Sequence, residues 1–285
     1  MKYRLIKYIL FFIIVMFLYV LGIGNIFHEG KTFLFGSVIF VSLVFYYYID
    51  QARRGEKIFL RPIAGLKAIE EAVGRATEMG KSVLFVPGIS DLDQVETVSG
   101  LILLGNVAEI TAQYETELDV PVARSIVMEA ARETCKESYL KVGRPDLYSD
   151  SMVHYISDDQ FAYTAGVNGI MVREKPAACF YQGKFYAESL ILAETGNSIG
   201  AIQVAGTGSA SQIPFFVTAC DYTLIGEEFF TASAYLSKKP DLIGCIKGQD
   251  IVKLFVMISM IAVVILNGFF QAGWIDLDIL KVLSN

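Results

Sequence analysis

The chain has 285 residues, of which 54% are hydrophobic, 13% aromatic and 19% charged, and its mean hydropathy is +0.48. Soluble domains carry about a quarter charged residues, so the composition points to membrane segments. A net charge of −6 and a pI near 5.1 argue against nucleic acid as a partner.

Three stretches are apolar enough to cross a bilayer, which takes roughly 17 to 25 residues of helix. The first, residues 5–24, has one charge, Lys7; the second, residues 32–49, has none. The third, residues 251–270, is almost uncharged, with Lys253 near its start. Asn25, Ile26, Phe27 and His28 follow the first stretch and offer no small-residue cleavage site, so the first two read as a permanent hairpin of helices. Lys2, Arg4 and Lys7 precede the first span, and Arg53, Arg54, Lys57 and Arg61 follow the second. Lys238, Lys239, Lys247 and Lys253 precede the third, whereas the tail opposes Lys281 with Asp276 and Asp278. By the positive-inside rule, the N-terminus and the segment between the second and third spans are cytoplasmic. The tail, residues 271–285, is then outside a cell (inner) membrane. Small residues in the spans, Gly36, Ser37, Ser42, Ser259 and Ala262, permit close helix contact and suggest a homo-oligomer.

Residues 57–245 alternate short apolar runs with helical periodicity. A helix over 63–79 places Ile63, Leu66, Ile69, Val73 and Ala76 on one face. A strand at 82–86 (SVLFV) leads into Pro87-Gly88 and a helix capped by Ser90 or Asp91, with Val95, Val98, Ile102, Gly105 and Ala108 in helical register. Further strands are expected at 121–126, 152–156, 177–181, 201–205 and 222–225. Helices over 128–142, 158–174 (capped by Ser157 or Asp158), 187–195 (ended by Gly196-Asn197), 213–219 and 227–236 separate and follow them. Six strand-then-helix units predict an α/β fold: a Rossmann-like, mostly parallel six-stranded sheet inserted between two N-terminal transmembrane helices and one C-terminal one.

In such a sheet, ligands bind beyond the carboxyl ends of the strands. Two loops there have suitable composition. Gly206, Thr207, Gly208, Ser209, Ala210, Ser211 and Gln212 approximate a G-x-G-x-x-G loop, with Ser211 in place of the last glycine. Its glycines would let an anion approach the backbone, with Thr207, Ser209 and Ser211 as donors. The competing reading is a tight turn, with Gly208 at positive φ and serine caps. Gly88 and Ser90 in the earlier loop are the second candidates, although turn and cap roles explain them too. No catalytic set is complete. His28 and His154 are far apart, and Cys135, Cys179, Cys220 and Cys245 make no C-x-x-C pair, so no metal site is indicated. Asp158-Asp159 and Glu227-Glu228 stand at helix starts, where acids complement the dipole. No cofactor is specified.

The stretches VLFVPGISDLDQVETVSGL, MVHYISDDQFAYTAGVNGIMVREKPAACFYQGKFYAESL and VAGTGSASQIPFFVTACDYTLIGEE resemble a family of uncharacterised prokaryotic integral membrane proteins with a cytoplasmic α/β domain. The resemblance implies a membrane-anchored protein and carries over no catalytic residue. The leading expectation is a ligand-sensing or scaffolding module in the lipid bilayer, taking a small anionic ligand or nucleotide. The alternative is a tethered hydrolase or nucleotide-using enzyme centred on Gly206–Gln212.

Overall fold

The computed structural model describes residues 32–271, except 57 and 59–62. The first expected span and the C-terminal tail lie outside the described residues. The chain divides into two compact units, an α/β unit of residues 61–237 and a helical unit formed by the segments on either side of it.

In the α/β unit, α2 (Ala64–Glu78) buries Ala68, Ile69, Ala72, Val73 and Ala76, the stripe its periodicity foretells. The strand β1 (Val83–Gly88) is buried along its whole length, and its residues alternate between two cores. Val83 and Phe85 join one cluster and Leu84 and Val86 the other. A strand with no solvent face must be apolar throughout, as SVLFV is. The helix α3 (Val95–Tyr114) follows, then β2 (Leu118–Val122), α4 (Ser125–Val142), β3 (Val153–Tyr155) and α5 (Gln160–Glu174). After them come β4 (Ala178–Lys184), α6 (Glu188–Ser198), β5 (Ile202–Thr207), α7 (Ile213–Ala219), β6 (Tyr222–Ile225) and α8 (Glu227–Ser237).

The six strands form one sheet in the order β3-β2-β1-β4-β5-β6, and every pairing is parallel. This is the doubly wound arrangement expected from the strand–helix alternation. The helices α2, α3, α4 and α8 cover one face, and α5, α6 and α7 cover the other. The order reverses between β1 and β4, where α3 leaves toward one face and α6 toward the other.

Several local expectations are corrected. The second strand runs over 118–122, not 121–126: Pro121 lies inside it, and the chain turns at Ala123 toward α4. The strand expected at 177–181 continues through Gln182 and Gly183 to Lys184. Neither Ser90 nor Asp91 caps α3; Gln94 is at the cap position without a side-chain cap bond. Asp91 Oδ1 instead accepts from the Leu92 amide at 2.7 Å. The cap of α5 is Asp159, whose Oδ1 accepts from the amides of Phe161 and Ala162. Gly196 does not end α6; it packs inside it, where a Cβ would stand 2.2 Å from Gln203 Oε1. On α3 the expected face is partly the outward one, since Val95 and Val98 are exposed. Leu103, Leu104, Val107 and Ala108 carry the burial.

The helical unit pairs α1 (Thr32–Arg53) with α9 (Pro240–Gln271). The third apolar stretch is thus the later part of a helix that begins at Pro240. At 1.5 Å per residue its 32 residues extend about 48 Å, well beyond a hydrocarbon core of about 30 Å. Gly244 and Gly248, four apart, set α9 against α1: Cβ atoms there would lie 2.5 Å from Ile49 Cα and 3.0 Å from Phe45 Cδ1. Small residues at this spacing let two backbones approach closely. At the same end Arg53 Nε meets Asp241 Oδ1 at 2.5 Å, an exposed pair worth little in energy. The Phe40 and Phe255 rings meet farther along, tilted at 42° with centroids 4.6 Å apart.

Three helices among the described residues are long and apolar enough to cross a membrane: Phe35–Arg53, Val95–Tyr114 and Pro240–Gly268. The middle one is α3, packed in the α/β unit. The last has none of its apolar window buried and exposes Leu254, Met257, Ile261 and Val264.

Candidate functional site at the carboxyl edge of the sheet

The sequence candidates come from loops on either side of β4. Gly88 closes β1 with φ of +82°, and Gly183 in β4 has φ of +153°. Each makes room for the other strand. A Cβ on Gly88 would fall 2.5 Å from the Lys184 carbonyl oxygen, and one on Gly183 would fall 2.3 Å from that of Pro87. These glycines hold β1 and β4 together through a register shift at the point where strand order reverses.

Gly206 and Thr207 are the last residues of β5, next to β4. A Cβ on Gly206 would lie 2.1 Å from Gln182 Oε1, so the glycine is a packing requirement of the buried Gln182. Thr207 is fully buried; its hydroxyl accepts from the Ser209 amide at 3.2 Å and its carbonyl from the Gly226 amide at 3.0 Å. Gly208 is not at positive φ, contrary to the tight-turn expectation. Its constraint is steric: a Cβ there would lie 2.8 Å from Phe230 Cζ and 3.3 Å from Glu96 Cγ. The β5 loop therefore lies beside the first turn of α3, which the β1 loop introduces.

The β4 loop joins them. Ser189 Oγ, fully buried, donates to Gln212 Oε1 at 2.7 Å and contacts the Tyr186 carbonyl at 2.8 Å. Gln212 Nε2 in turn donates to Ser211 Oγ at 3.1 Å. Glu188 is fully buried at the start of α6, where it accepts from Gln160 Nε2 at 2.5 Å and from the Tyr186 amide at 2.8 Å. Lys184 Nζ, at the end of β4, donates to Gln94 Oε1 at 2.6 Å. Arg124 Nε, beyond β2, donates to the Ile89 carbonyl at 3.3 Å. Ser90 is half-buried in the same loop. Two buried polar atoms close to this edge have no partner among the described residues: Gln182 Oε1, whose amide nitrogen donates to Val204 O, and Thr97 Oγ1 in the first turn of α3.

Lys184, Gln94, Thr97, Gln182, Glu188 and Arg124 are not singled out by the sequence. Gln182-Gly183 resembles turn chemistry, so the extension of β4 to Lys184 is hidden. Gln94 and Arg124 become neighbours of the site only once strand order is known.

Other titratable groups have structural partners. His154 Nδ1 on β3 is 3.2 Å from Asp119 Oδ1 on β2, and burial, opposed by His154, holds the Asp119 carboxyl above its usual range. All four cysteines are free. Burial pushes the thiols of Cys135, Cys179 and Cys220 up to about 12, far from a reactive thiolate. The buried Tyr163 hydroxyl is likewise raised, and it donates to the Pro121 carbonyl at 2.8 Å. Among the described residues no group of three or more His, Cys, Asp or Glu is placed to hold a metal. A depression of about 680 Å³ lies at the opposite, amino edge, between Glu71, Arg75 and Glu78 of α2 and Asp221 and Tyr222 by β6. Glu71, Glu78 and Asp221 line it together with Arg75, Gly74 and apolar residues, and its lining includes none of the unpartnered buried polar atoms found near the carboxyl edge.

The α/β unit is thus a doubly wound domain with a polar network at its strand-order reversal. Residues 23–277 match the family described as a domain of unknown function (DUF6754), and the chain belongs to that family. No curated protein and no solved structure matches it.

Proposed function

We propose that the protein is a membrane-anchored module that senses a small ligand with its α/β unit, without chemical turnover. On this reading α1 and α9 hold it in a bilayer, and the ligand sits over the loops after β1, β4 and β5. The observation that carries it is the strand order, which reverses between β1 and β4 beside the loops that carry Gly88, Ser90 and Gly206–Gln212. Support for sensing over catalysis comes from the polar groups there. Among the described residues they are bonded to one another: Glu188 accepts from Gln160 and the Tyr186 amide, Lys184 donates to Gln94, Arg124 to the Ile89 carbonyl and Ser189 to Gln212. The enzyme alternative keeps the same loops as its site, so turnover of a bound ligand separates the two.

The test is a thermal-shift screen of nucleotides, sugar phosphates and acidic metabolites on the full chain in nanodiscs. A ligand that raises the melting temperature of wild type, and not of Gly208→Val, supports the site. Hydrolysis or modification of that ligand would favour the enzyme reading. A ligand bound equally by both proteins would move the site elsewhere.

A further inference from the structure

The β5 loop, Gly206–Gln212, is interlocked with the start of α8. A Cβ on Gly206 would fall 2.7 Å from Phe229 Cδ2, and one on Gly208 would fall 2.8 Å from Phe230 Cζ. Both glycines thus make room for phenylalanines in the first turn of α8. The Gly226 amide, one residue before that helix, donates to the Thr207 carbonyl at 3.0 Å. Phe229 is fully buried, and its ring centroid lies 5.4 Å from that of Phe230. Packing this close transmits displacement, so a loop that shifts moves the two rings and the helix that bears them.

Beyond its first turn, α8 is a short rod. It buries Ala232, Ser233 and Ala234 as well as Phe229, and it packs on α3. Its end is joined to α9 by Lys238 and Lys239 alone, with Lys238 at a φ of +52°. Two intervening residues keep Pro240 within about 10 Å of Ser237. The other connection between the two units, residues 54–63 between α1 and α2, can extend about 35 Å. A shift at the end of α8 therefore acts on α9, whereas the longer connection can absorb one. From Leu254 onward α9 is apolar and exposed, the part that the anchored reading gives to lipid.

We propose, resting on the reading of Gly206–Gln212 as part of the ligand site, that α8 is the output of that site. It couples occupancy of the β5 loop to the setting of α9 in the bilayer. A ligand seated against Gly208 presses on Phe230 and shifts α8, and α9 follows through the two-residue joint. Such coupling is reciprocal, so a bilayer that resets α9 also changes the loop. The helix α5, on the opposite face of the sheet, lies off this path.

Reciprocity allows a test without a ligand. The full chain is placed in nanodiscs of short-chain dimyristoleoyl or long-chain dierucoyl phosphatidylcholine, and amide hydrogen exchange is read by mass spectrometry. Bilayer thickness is the probe, because it changes the mismatch that α9 must accommodate. In wild type, exchange of residues 206–212 should differ by about fivefold or more between the two bilayers, with α5 unchanged. A Gly-Ser-Gly-Ser-Gly insertion between Ser237 and Lys238 should abolish the difference, and the same insertion after Gly55 should leave it. Phe230→Leu, which stays apolar but loses the ring against Gly208, should reduce it. No thickness dependence at 206–212 in wild type, or a dependence that survives the insertion after Ser237, overturns the inference. So does an equal change in α5, which would report a global loss of stability. If the dependence is present and the thermal-shift screen finds no ligand, the mechanical coupling stands and the ligand reading falls. If a ligand binds wild type and not Gly208→Val, yet thickness leaves the loop unchanged, the reading stands and the coupling falls.

Discussion

Helices α3 and α9 are both long and apolar enough to span a bilayer, yet more than half of the α3 window is buried in protein and none of the α9 window is. Composition at the contact surface separates them. Thr97, Ser99, Gly100 and Thr111 are small or hydroxylated and fit α3 against the sheet and its neighbouring helices, while Leu103, Leu104 and Val107 fill the core. From Leu254 onward α9 exposes large branched and sulfur side chains on all sides. A helix apolar all round needs either a protein interior or lipid about it; α3 has the first, and the exposed apolar surface of α9 is compatible with the second.

The sharpest contrast is a charge placed on an exposed position of each helix. Ile261→Arg on α9 should cost about 2.5–3.5 kcal/mol of membrane insertion. Val98→Arg on α3, facing water, should stay within about 0.5 kcal/mol. Glycosylation-scanning or alkaline extraction of membranes reads the first, and thermal unfolding the second. Equal tolerance at both positions would put α9 in water.

Glycine exchange is the next largest effect. A Cβ on Gly100 would fall 2.2 Å from the Gln182 carbonyl oxygen, whereas nothing lies within 4 Å of one on Gly268. Gly100→Ala should therefore destabilise by about 1–3 kcal/mol despite the better helix propensity of alanine. Gly268→Ala should be neutral or slightly stabilising. Denaturant titration in mild detergent distinguishes them; a neutral Gly100→Ala would mean that α3 packs less tightly on β4.

The apolar runs and the strand–helix alternation make the sheet, its parallel sense and two of the three membrane candidates legible from residue order. What stays hidden depends on contacts between distant segments. The outward side of α3 shares its valines with the inward side, so periodicity alone mistakes Val95 and Val98 for core. Gln182-Gly183 looks like a turn until β1 pairs with β4 alongside it. The Gly244–Gly248 pair lies in a polar stretch before the apolar run, and its role appears only when α1 is set against it. The two candidate loops are visible as glycine-serine segments. Lys184 and Arg124 are ordinary residues until strand order brings them to the loop between β1 and α3.

The smallest effect expected concerns helix starts. Asp159 caps α5 with two amide bonds, so Asp159→Ala should cost about 1 kcal/mol. Ser90→Ala, before the uncapped α3, should cost no more than a few tenths. Comparable losses at both would show that Ser90 serves the helix start after all.

The central claim, a water-exposed α/β unit held by a lipid-exposed α9, is tested most directly by single-cysteine labelling. Cys135, Cys179, Cys220 and Cys245 are first replaced by alanine, and a cysteine is then placed at Val98 or at Val264, both exposed on their helices at 44% and 72%. In nanodiscs, a water-soluble maleimide should modify Val98→Cys readily and leave Val264→Cys unmodified until the lipid is dispersed with detergent. Equal labelling of the two in intact nanodiscs would contradict the membrane-anchored reading.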